Sequence, residues 1–402
     1  MKILQINSVY GVGSTGKIVF DIHKLLQEKG HESYVVYGRG PLVTDKNVVK
    51  IGNKLDNYFH AILTRVFDRH GFGSKLVTKK LIKEIKNINP DLIHLHNIHG
   101  YYINIEILFN FLKASNIPIV WTFHDCWNFT GHCSHFDYVG CNKWKTKCNH
   151  CPQKRIYPKS VFIDNSKNNF IMKKKLFTSL DNITVVTPSF WLGNLVKESF
   201  FKAYPLKVIH NGIDLNSFKP TISEFRKNLN IEDKYIILGV AYVWQERKGY
   251  NYFLELSQML FPDEIIVLVG LTDKQKRRLP NNIIGLSKTN SIKELAEIYT
   301  SSDVFVNPTL EDNFPTTNIE ALACGIPVIT FNTGGSIESI DEKTGYIVKK
   351  GNIKDLRHTI SKLKITPLES NDCICHAAKF NKYLKFNEFI SLYEKILKTK
   401  LF

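Results

Sequence analysis

The chain has 402 residues, long for one core and suited to two domains, and its 43% hydrophobic and 23% charged residues are those of an ordinary globular protein. The opening MKILQINSVYGVG holds too short an apolar run for a secretory signal and no later run approaches a membrane span, which leads us to expect a soluble cytoplasmic protein. The net charge of +17 is uneven, residues 1–205 holding 28 Lys and Arg against 14 Asp and Glu (+14) and residues 206–402 holding 26 against 23 (+3); no nucleic-acid-binding motif accompanies it, so nucleic acid is not an expected partner.

Lys2 to Ser8 reads as a buried strand, followed by the loop Tyr10-Gly11-Val12-Gly13-Ser14-Thr15-Gly16, an amphipathic helix to about Lys29, and a strand from Ser33 to Tyr37. That order opens a doubly wound α/β domain. Gly11-x4-Gly16-Lys17 falls short of a nucleotide-binding P-loop, because Ile18 stands where Ser or Thr would hold magnesium. The glycine loop either lets a ligand approach the backbone at Gly13 and Gly16 or is a plain tight turn. Residues 53–88 read as helical, broken at Gly71-Phe72-Gly73. Asp91 to Asn97 alternates as a strand, and ligands of open α/β sheets gather at strand carboxyl ends. His96, Asn97 and His99 are therefore either acceptor-pocket candidates or structural. Ile117 to Phe123 is a further buried strand, ending in His124-Asp125. The basic runs Lys79-Lys80-x2-Lys83-x2-Lys86 and Lys173-Lys174-Lys175 suggest a face for anionic lipid or a pyrophosphate-bearing substrate, or else a solvated surface.

Five of the eight cysteines fall within residues 126–151, with His132, His135 and His150 among them. Disulfides are not expected in a cytoplasm, and Cys133, Cys141 and the pair Cys148-x-x-Cys151 suit a structural tetrahedral zinc site; reduced free thiols are the alternative. Ile183 to Thr187 reads as the last strand of the first domain, with a linker near residues 201–205 and an Asn211-Gly212 turn beyond it. Tyr235 to Val243 and Glu264 to Gly270 read as buried strands, and Ile292 to Thr300, 353–365 and 377–400 as helices. Arg247-Lys248-Gly249 sits in the turn before a helix. Two cations there oppose the helix dipole, so either a bound anion explains them or they are exposed surface charge.

The densest signal is NPTLEDNFPTTNIEALACGIPVITFNTGG, residues 307–335: a strand end, an acidic loop, a short helix, a buried strand at 327–331 and a Gly-Gly turn. Asp312 and Glu320 bracket the loop and the first helical turn, and free amides around Thr316 to Ile319 favour phosphate. Thr317-x-x-Glu320 is equally a capping box. The run Glu320-Ala321-Leu322-Ala323-Cys324-Gly325-Ile326-Pro327-Val328, with an acidic residue eight positions earlier, resembles the E-x7-E signature of retaining glycosyltransferases of family 4. Asp312 replaces the first Glu of that signature, Glu311 precedes it, and Pro315 stands where Gly is usual. The cysteine segment, FTGHC…GC…C…CPQ, resembles an insertion in bacterial exopolysaccharide and O-antigen enzymes of the colanic acid type.

The resemblance covers nearly the whole chain, is most specific in residues 208–348, and implies an α/β chain of GT-B fold, with two doubly wound Rossmann-like domains facing across a cleft. By it, residues 1–205 bind the acceptor and carry the cysteine-rich insertion 126–151, residues 206–380 bind the sugar nucleotide, and residues 381–402 form a helix crossing back to the first domain. It implies that Asp312 or Glu311 contacts the donor sugar opposite His124, that Glu320 holds the ribose, that Arg247 and Lys248 meet the diphosphate, and that Gly13, Gly16, Asn211, Phe314, Thr316 and Thr317 belong to the donor site. The expected activity is metal-independent, retaining transfer of a hexosyl group from a nucleotide sugar to a saccharide or lipid-linked saccharide in bacterial surface polysaccharide synthesis, by an enzyme peripheral to the inner face of the cytoplasmic membrane. The alternatives are a sugar-nucleotide epimerase of the same fold and a zinc-bearing binding protein without activity.

Overall fold

The computed structural model describes residues 1–399. The chain divides into two compact units, Met1–His210 with Lys385–Phe402 and Asn211–Leu384. The division after His210 lies five residues beyond the 205/206 boundary expected from the sequence.

In the first unit the order is β1 (Lys2–Val9), α1 (Gly13–Glu28), β2 (Glu32–Arg39), β3 (Val48–Lys50), α2 (Lys54–Phe67), α3 (Lys75–Ile88), β4 (Leu92–Leu95), α4 (Ile105–Ser115), β5 (Ile119–Thr122), α5 (Ser166–Phe177), β6 (Ile183–Thr187), α6 (Phe190–Glu198) and β7 (Leu206–Val208). The strands form one parallel sheet ordered β3-β2-β1-β4-β5-β6-β7. Both faces are covered, so β4 and β5 are buried at every position. The turns and short 3-10 segments of residues 126–165 replace a crossover helix between β5 and α5.

The second unit runs α7 (Phe225–Asn228), β8 (Tyr235–Val240), α8 (Tyr250–Ser257), β9 (Glu264–Val269), α9 (Asp273–Lys276), β10 (Ile283–Leu286), α10 (Ile292–Thr300), β11 (Val304–Asn307), α11 (Thr316–Ala323), β12 (Val328–Phe331), β13 (Gly345–Val348), α12 (Ile353–Ile365) and α13 (Ser370–Ala378). Its sheet is also parallel, ordered β10-β9-β8-β11-β12-β13. The helix expected over 377–400 is two: α13 stops at Ala378, and α14 (Lys382–Thr399) begins after Asn381. Phe386, Phe389, Ile390 and Tyr393 of α14 pack with Ile3, Ile22, Val120 and Val186 in the first unit, and the Tyr393 hydroxyl meets His94 Nδ1 at 2.6 Å.

Each sheet has one place where the strand order reverses, between β1 and β4 in the first unit and between β8 and β11 in the second. The loops leaving the carboxyl ends of such a pair diverge and open a crevice, which is where open α/β sheets bind ligands. Residues 10–13 and 96–99 leave the first pair, and residues 241–249 and 308–315 leave the second. No described helix is long and apolar enough to cross a membrane.

Candidate functional site

In the second unit the loops after β8 and β11 are tied together by backbone bonds. Leu310 N–H donates to Arg247 O at 2.8 Å, and Thr309 Oγ1 donates to the same carbonyl at 3.2 Å. Gly249 turns the chain with φ +78°, and a Cβ there would stand 2.1 Å from Pro308 O, so only glycine allows this approach. The two cations of the 3-10 turn Glu246–Lys248 are thereby held over the acidic loop. Lys248 forms an ion pair with Asp312 Oδ2, and Arg247 Nη1 donates to Glu311 O. Burial pulls Lys248 below the usual lysine range, with Asp312 opposing that shift. Glu311 has no exposed surface whereas Asp312 is partly open, so of the two carboxylates Asp312 is the one a ligand can reach.

The loop then enters α11, whose N-cap is Pro315 with no side-chain cap. Helix α11 therefore starts at Thr316, which puts Glu320 too deep for the capping box expected from Thr317 and Glu320; its Oε2 accepts from the Tyr299 hydroxyl at 3.2 Å. Asn318, fully buried, clamps the start of α11: its Oδ1 accepts from Asn307 Nδ2 at 2.7 Å and its Nδ2 donates to Ser339 Oγ at 2.8 Å. Asn211 Nδ2 donates to Phe314 O at 3.3 Å, while the Phe314 ring is buried against Phe380. Asn211 and Phe314 thus shape the loop, whereas Thr316, Thr317 and Glu320 keep partly open side chains at the helix start.

In the first unit the glycine loop is shorter than its sequence indicates. Helix α1 begins at Gly13, so Gly13 to Gly16 form its first turn, with an uncapped start after Val12. Gly16 is buried, and a Cβ there would sit 3.0 Å from Val9 Cγ2; it serves helix–strand packing, not ligand approach, which corrects the loop reading. Gly13 is exposed at φ +65°.

His96 and His124, at the ends of β4 and β5, are stacked with Nδ1 of His96 3.0 Å from Nε2 of His124. Their proton positions follow from a third residue. Gln5 Nε2 donates to Val19 O at 3.2 Å, so Gln5 Oε1 is left to accept from His96 Nε2 at 3.2 Å. Burial holds both rings neutral, His96 well below the usual histidine range and His124 lowered to about 4 despite Asp125. Neutral His96 then offers its Nδ1 lone pair to His124 Nε2–H, which makes Nδ1 the acceptor nitrogen of the His124 ring. His96 has no exposed surface, so it orients His124 and does not itself line an acceptor pocket. His99 is likewise buried, with Nδ1 3.0 Å from the Tyr157 hydroxyl and Nε2 3.0 Å from Asp125 Oδ2. Asn97, partly open, is the one of the three acceptor candidates with a side chain at the surface.

Residues 15–217 match the model of Glycosyltransferase Family 4, and residues 221–380 match that of Glycosyl transferases group 1. The chain belongs to glycosyltransferase family 4. It is 26% identical over 371 residues to the colanic acid biosynthesis glycosyl transferase WcaC of Escherichia coli K12, covering 89% of each chain. Over 200 residues, 44% of this chain and 51% of the relative, it is 26% identical to an Escherichia coli UDP-Gal:alpha-D-GlcNAc-diphosphoundecaprenol alpha-1,3-galactosyltransferase. Among solved structures, sucrose-phosphate synthase from Thermosynechococcus elongatus superposes with a TM-score of 0.74 at 17% identity, covering 99% of this chain and 100% of that one. HepE of Anabaena in complex with UDP gives 0.67 at 15%, covering 98% and 100%. These likenesses show the GT-B fold.

In this glycosyltransferase Cys133, Cys141, Cys148 and Cys151 line one cavity with His132 and Trp144. The Cys133 and Cys151 thiols share a hydrogen bond that pushes Cys133 up, as burial also does, and pulls Cys151 down to about 7 against its burial. Gly131 N–H donates to Cys148 Sγ at 3.2 Å, and His132 Nε2 is buried without a hydrogen-bond partner. The Lys173 amine, also buried, donates to Trp127 O and Thr130 O and stands 3.5 Å over the Trp127 ring. Among the described residues no three His, Cys, Asp or Glu side chains are arranged to hold a metal ion.

Sequence reasoning did not find Gln5, Tyr299, Asn307 or Asn318, each of which fixes a candidate residue. Asn307 and Asn318 had a local signal, since both lie within the motif of residues 307–335.

His60, whose Nε2 accepts from Gly71 N–H and Gly73 N–H, and His124 both have pKa values lowered to about 4 by burial. The unfolded chain binds their protons from about pH 6.5 downward while the folded chain does not, so stability falls as pH drops from 6.5 toward 4. Each group contributes a slope of up to about 1.4 kcal/mol per pH unit. Imidazole nitrogen spectra should show His124 neutral and protonated on Nε2 at pH 6. A charged ring at that pH contradicts the assignment.

Proposed function

We propose that the chain transfers a hexosyl group, with retention of configuration, from a nucleotide-sugar donor to a lipid-linked saccharide in bacterial polysaccharide biosynthesis, at the cytoplasmic face of the membrane. The observation that carries the donor half is the Lys248–Asp312 pair beside the uncapped start of α11. A diphosphate placed there meets the Lys248 ammonium, the Arg247 guanidinium and the N–H groups of Thr316 and Thr317 in the first helical turn. Those donors stabilise the charge that develops as the glycosidic bond to phosphate breaks, which is the main requirement of such a transfer, and they do so without a metal. Glu320, fixed by Tyr299, is positioned to accept hydrogen bonds from ribose hydroxyls. Asp312 is an acceptor for hydroxyls of the donor sugar.

This reading assigns no protein nucleophile, and a phosphate oxygen of the departing diphosphate is the base it assigns to the acceptor hydroxyl. Support for the acceptor class comes from relatives: the diphosphoundecaprenol galactosyltransferase named above, and a Campylobacter jejuni N,N'-diacetylbacillosaminyl-diphospho-undecaprenol alpha-1,3-N-acetylgalactosaminyltransferase, 28% identical over 203 residues. Relatives described as transferases do not favour the epimerase alternative. The test is incubation with UDP- and GDP-hexoses and an undecaprenyl-diphosphate saccharide, followed by NMR of the new linkage. Transfer with the donor's anomeric configuration is the expected result; inverted product, or epimer formed without acceptor, rejects the reading.

We also propose that Cys133, Cys141, Cys148 and Cys151 bind a structural zinc ion, replacing the Cys133–Cys151 hydrogen bond, with the buried Lys173 amine balancing the excess negative charge of four thiolates. Purified protein should contain about one zinc per chain, a tetrahedral site's complement, lost on Cys148→Ser. Metal-free protein that takes up neither zinc nor cobalt rejects the site.

A further inference from the structure

Helix α2 is inside out. Its apolar residues Leu55, Tyr58, Phe59 and Ile62 recur at i, i+3, i+4 and i+7, the spacing of one helical face, and all four are exposed, at 68%, 61%, 66% and 37%. Its two buried residues are polar, His60 and Thr64. On a helix of 3.6 residues per turn these lie opposite the apolar stripe. An amphipathic helix that docks on its own domain turns the apolar face inward; this one does the reverse.

Polar bonds hold it in that attitude. His60 Nδ1 lies 2.9 Å from Ser74 Oγ, and its Nε2 accepts from the backbone of the Gly71–Gly73 turn. Gly73 has no room for a side chain, since a Cβ would fall 2.5 Å from the His60 ring. Ser74 Oγ also donates to Asp56 Oδ2 at 2.6 Å, and Asn57 Nδ2 donates to Tyr101 O at 2.9 Å. The orientation is therefore built into the fold, and the outward apolar face is not a helix left loosely on the surface.

The apolar surface continues beyond α2. Val161 N–H donates to Arg65 O at 2.8 Å, which lays residues 161–163 beside the end of the helix, and Phe162 there is 72% exposed. Leu76, in the first turn of α3, is 75% exposed. The charges around this surface are mostly positive. Residues 53–80 hold six Lys and Arg (54, 65, 69, 75, 79 and 80) against two Asp. Both Asp are engaged, Asp56 with Ser74 and Asp68 with His132 and Asn165 N–H.

We propose that this face, α2 with residues 161–163 and Leu76, lies on an anionic lipid bilayer. An apolar stripe with aromatic side chains, flanked by exposed cations, matches the boundary between acyl chains and anionic headgroups. The stripe enters the boundary while Lys54, Arg65 and Lys75 reach the headgroups from its sides. The basic runs Lys79–Lys86 and Lys173–Lys175 are not the anchor; the outward apolar face is, and the cations near it set the preference for negative lipid. This docking does not depend on the glycosyl-transfer reading, since it is measured by binding alone.

The experiment is flotation of the full chain with phosphatidylcholine vesicles, with and without phosphatidylglycerol, at low and high salt. Three variants accompany wild type: Leu55→Ser/Phe59→Ser/Ile62→Ser, Lys54→Glu/Lys75→Glu, and Phe59→Trp. Binding should need phosphatidylglycerol, fall with salt, and drop about tenfold or more in each multiple variant, while thermal unfolding stays as in wild type because the replaced side chains are exposed. Brominated acyl chains should quench the fluorescence that the Phe59→Trp variant adds to that of wild type. Absent binding, binding indifferent to all three serines, or added fluorescence that stays unquenched overturns the proposal. So does a concentration-dependent dimer that the triple variant abolishes, which would assign the face to a second copy of this chain.

Discussion

The Lys248 ammonium, partly shielded from water, has the Asp312 carboxylate set against it, and close contacts within the second unit keep Asp312 there. Gly334 approaches so closely that a Cβ would fall 2.0 Å from Asp312 O, and Gly335 N–H donates to that same carbonyl at 3.0 Å. Asn313 N–H donates to Asp312 Oδ1 at 2.9 Å. The Gly-Gly turn after β12 is thus the backrest of the acidic loop, which explains why the motif extends to residue 335. A partly buried pair of this kind costs some desolvation on both sides, and it is weak evidence for stability. On the proposed reading it preorganises a cation for an incoming diphosphate, with the carboxylate holding the site assembled until the anion arrives.

The first unit works in the opposite way. Its histidines are buried and neutral, and they act through lone pairs and N–H groups, not through charge. Gln5, His96 and His124 form a chain in which each member fixes the tautomer of the next. His60 does the same for α2, accepting two backbone N–H groups that a charged ring could not satisfy. One group of neutral imidazoles therefore orients a candidate catalytic side chain, and another pins a helix with its apolar face outward.

Much of this was legible in the sequence. Ile183 to Thr187, Ile292 to Thr300 and residues 353–365 have the bounds read from periodicity, because each is a strongly patterned run with a clear stop. The short edge strands β3, β7 and β13, of three or four residues, carry too few positions to show a period. The start of α1 was missed because glycines at 13 and 16 argue locally against helix, and tertiary packing against Val9 overrides that preference. Arg247, Lys248, Asp312 and Glu320 could be named in advance because they lie in local motifs. Their partners could not: Tyr299 is 21 residues from Glu320, and Gln5 is 91 from His96. The outward face of α2 was hidden for a different reason. Periodicity finds an apolar stripe but is silent on which side meets water, and only the polar partners of His60 and Thr64 decide it.

The proposed donor site rests above all on Lys248 and the start of α11, and calorimetric titration of UDP and GDP into wild type, Lys248→Ala and Glu320→Ala tests that site most directly. Binding of a nucleoside diphosphate to wild type, weakened about tenfold or more in each variant by loss of a charge-assisted contact, is the predicted result. Binding of equal strength in all three proteins would place the donor elsewhere and contradict the assignment.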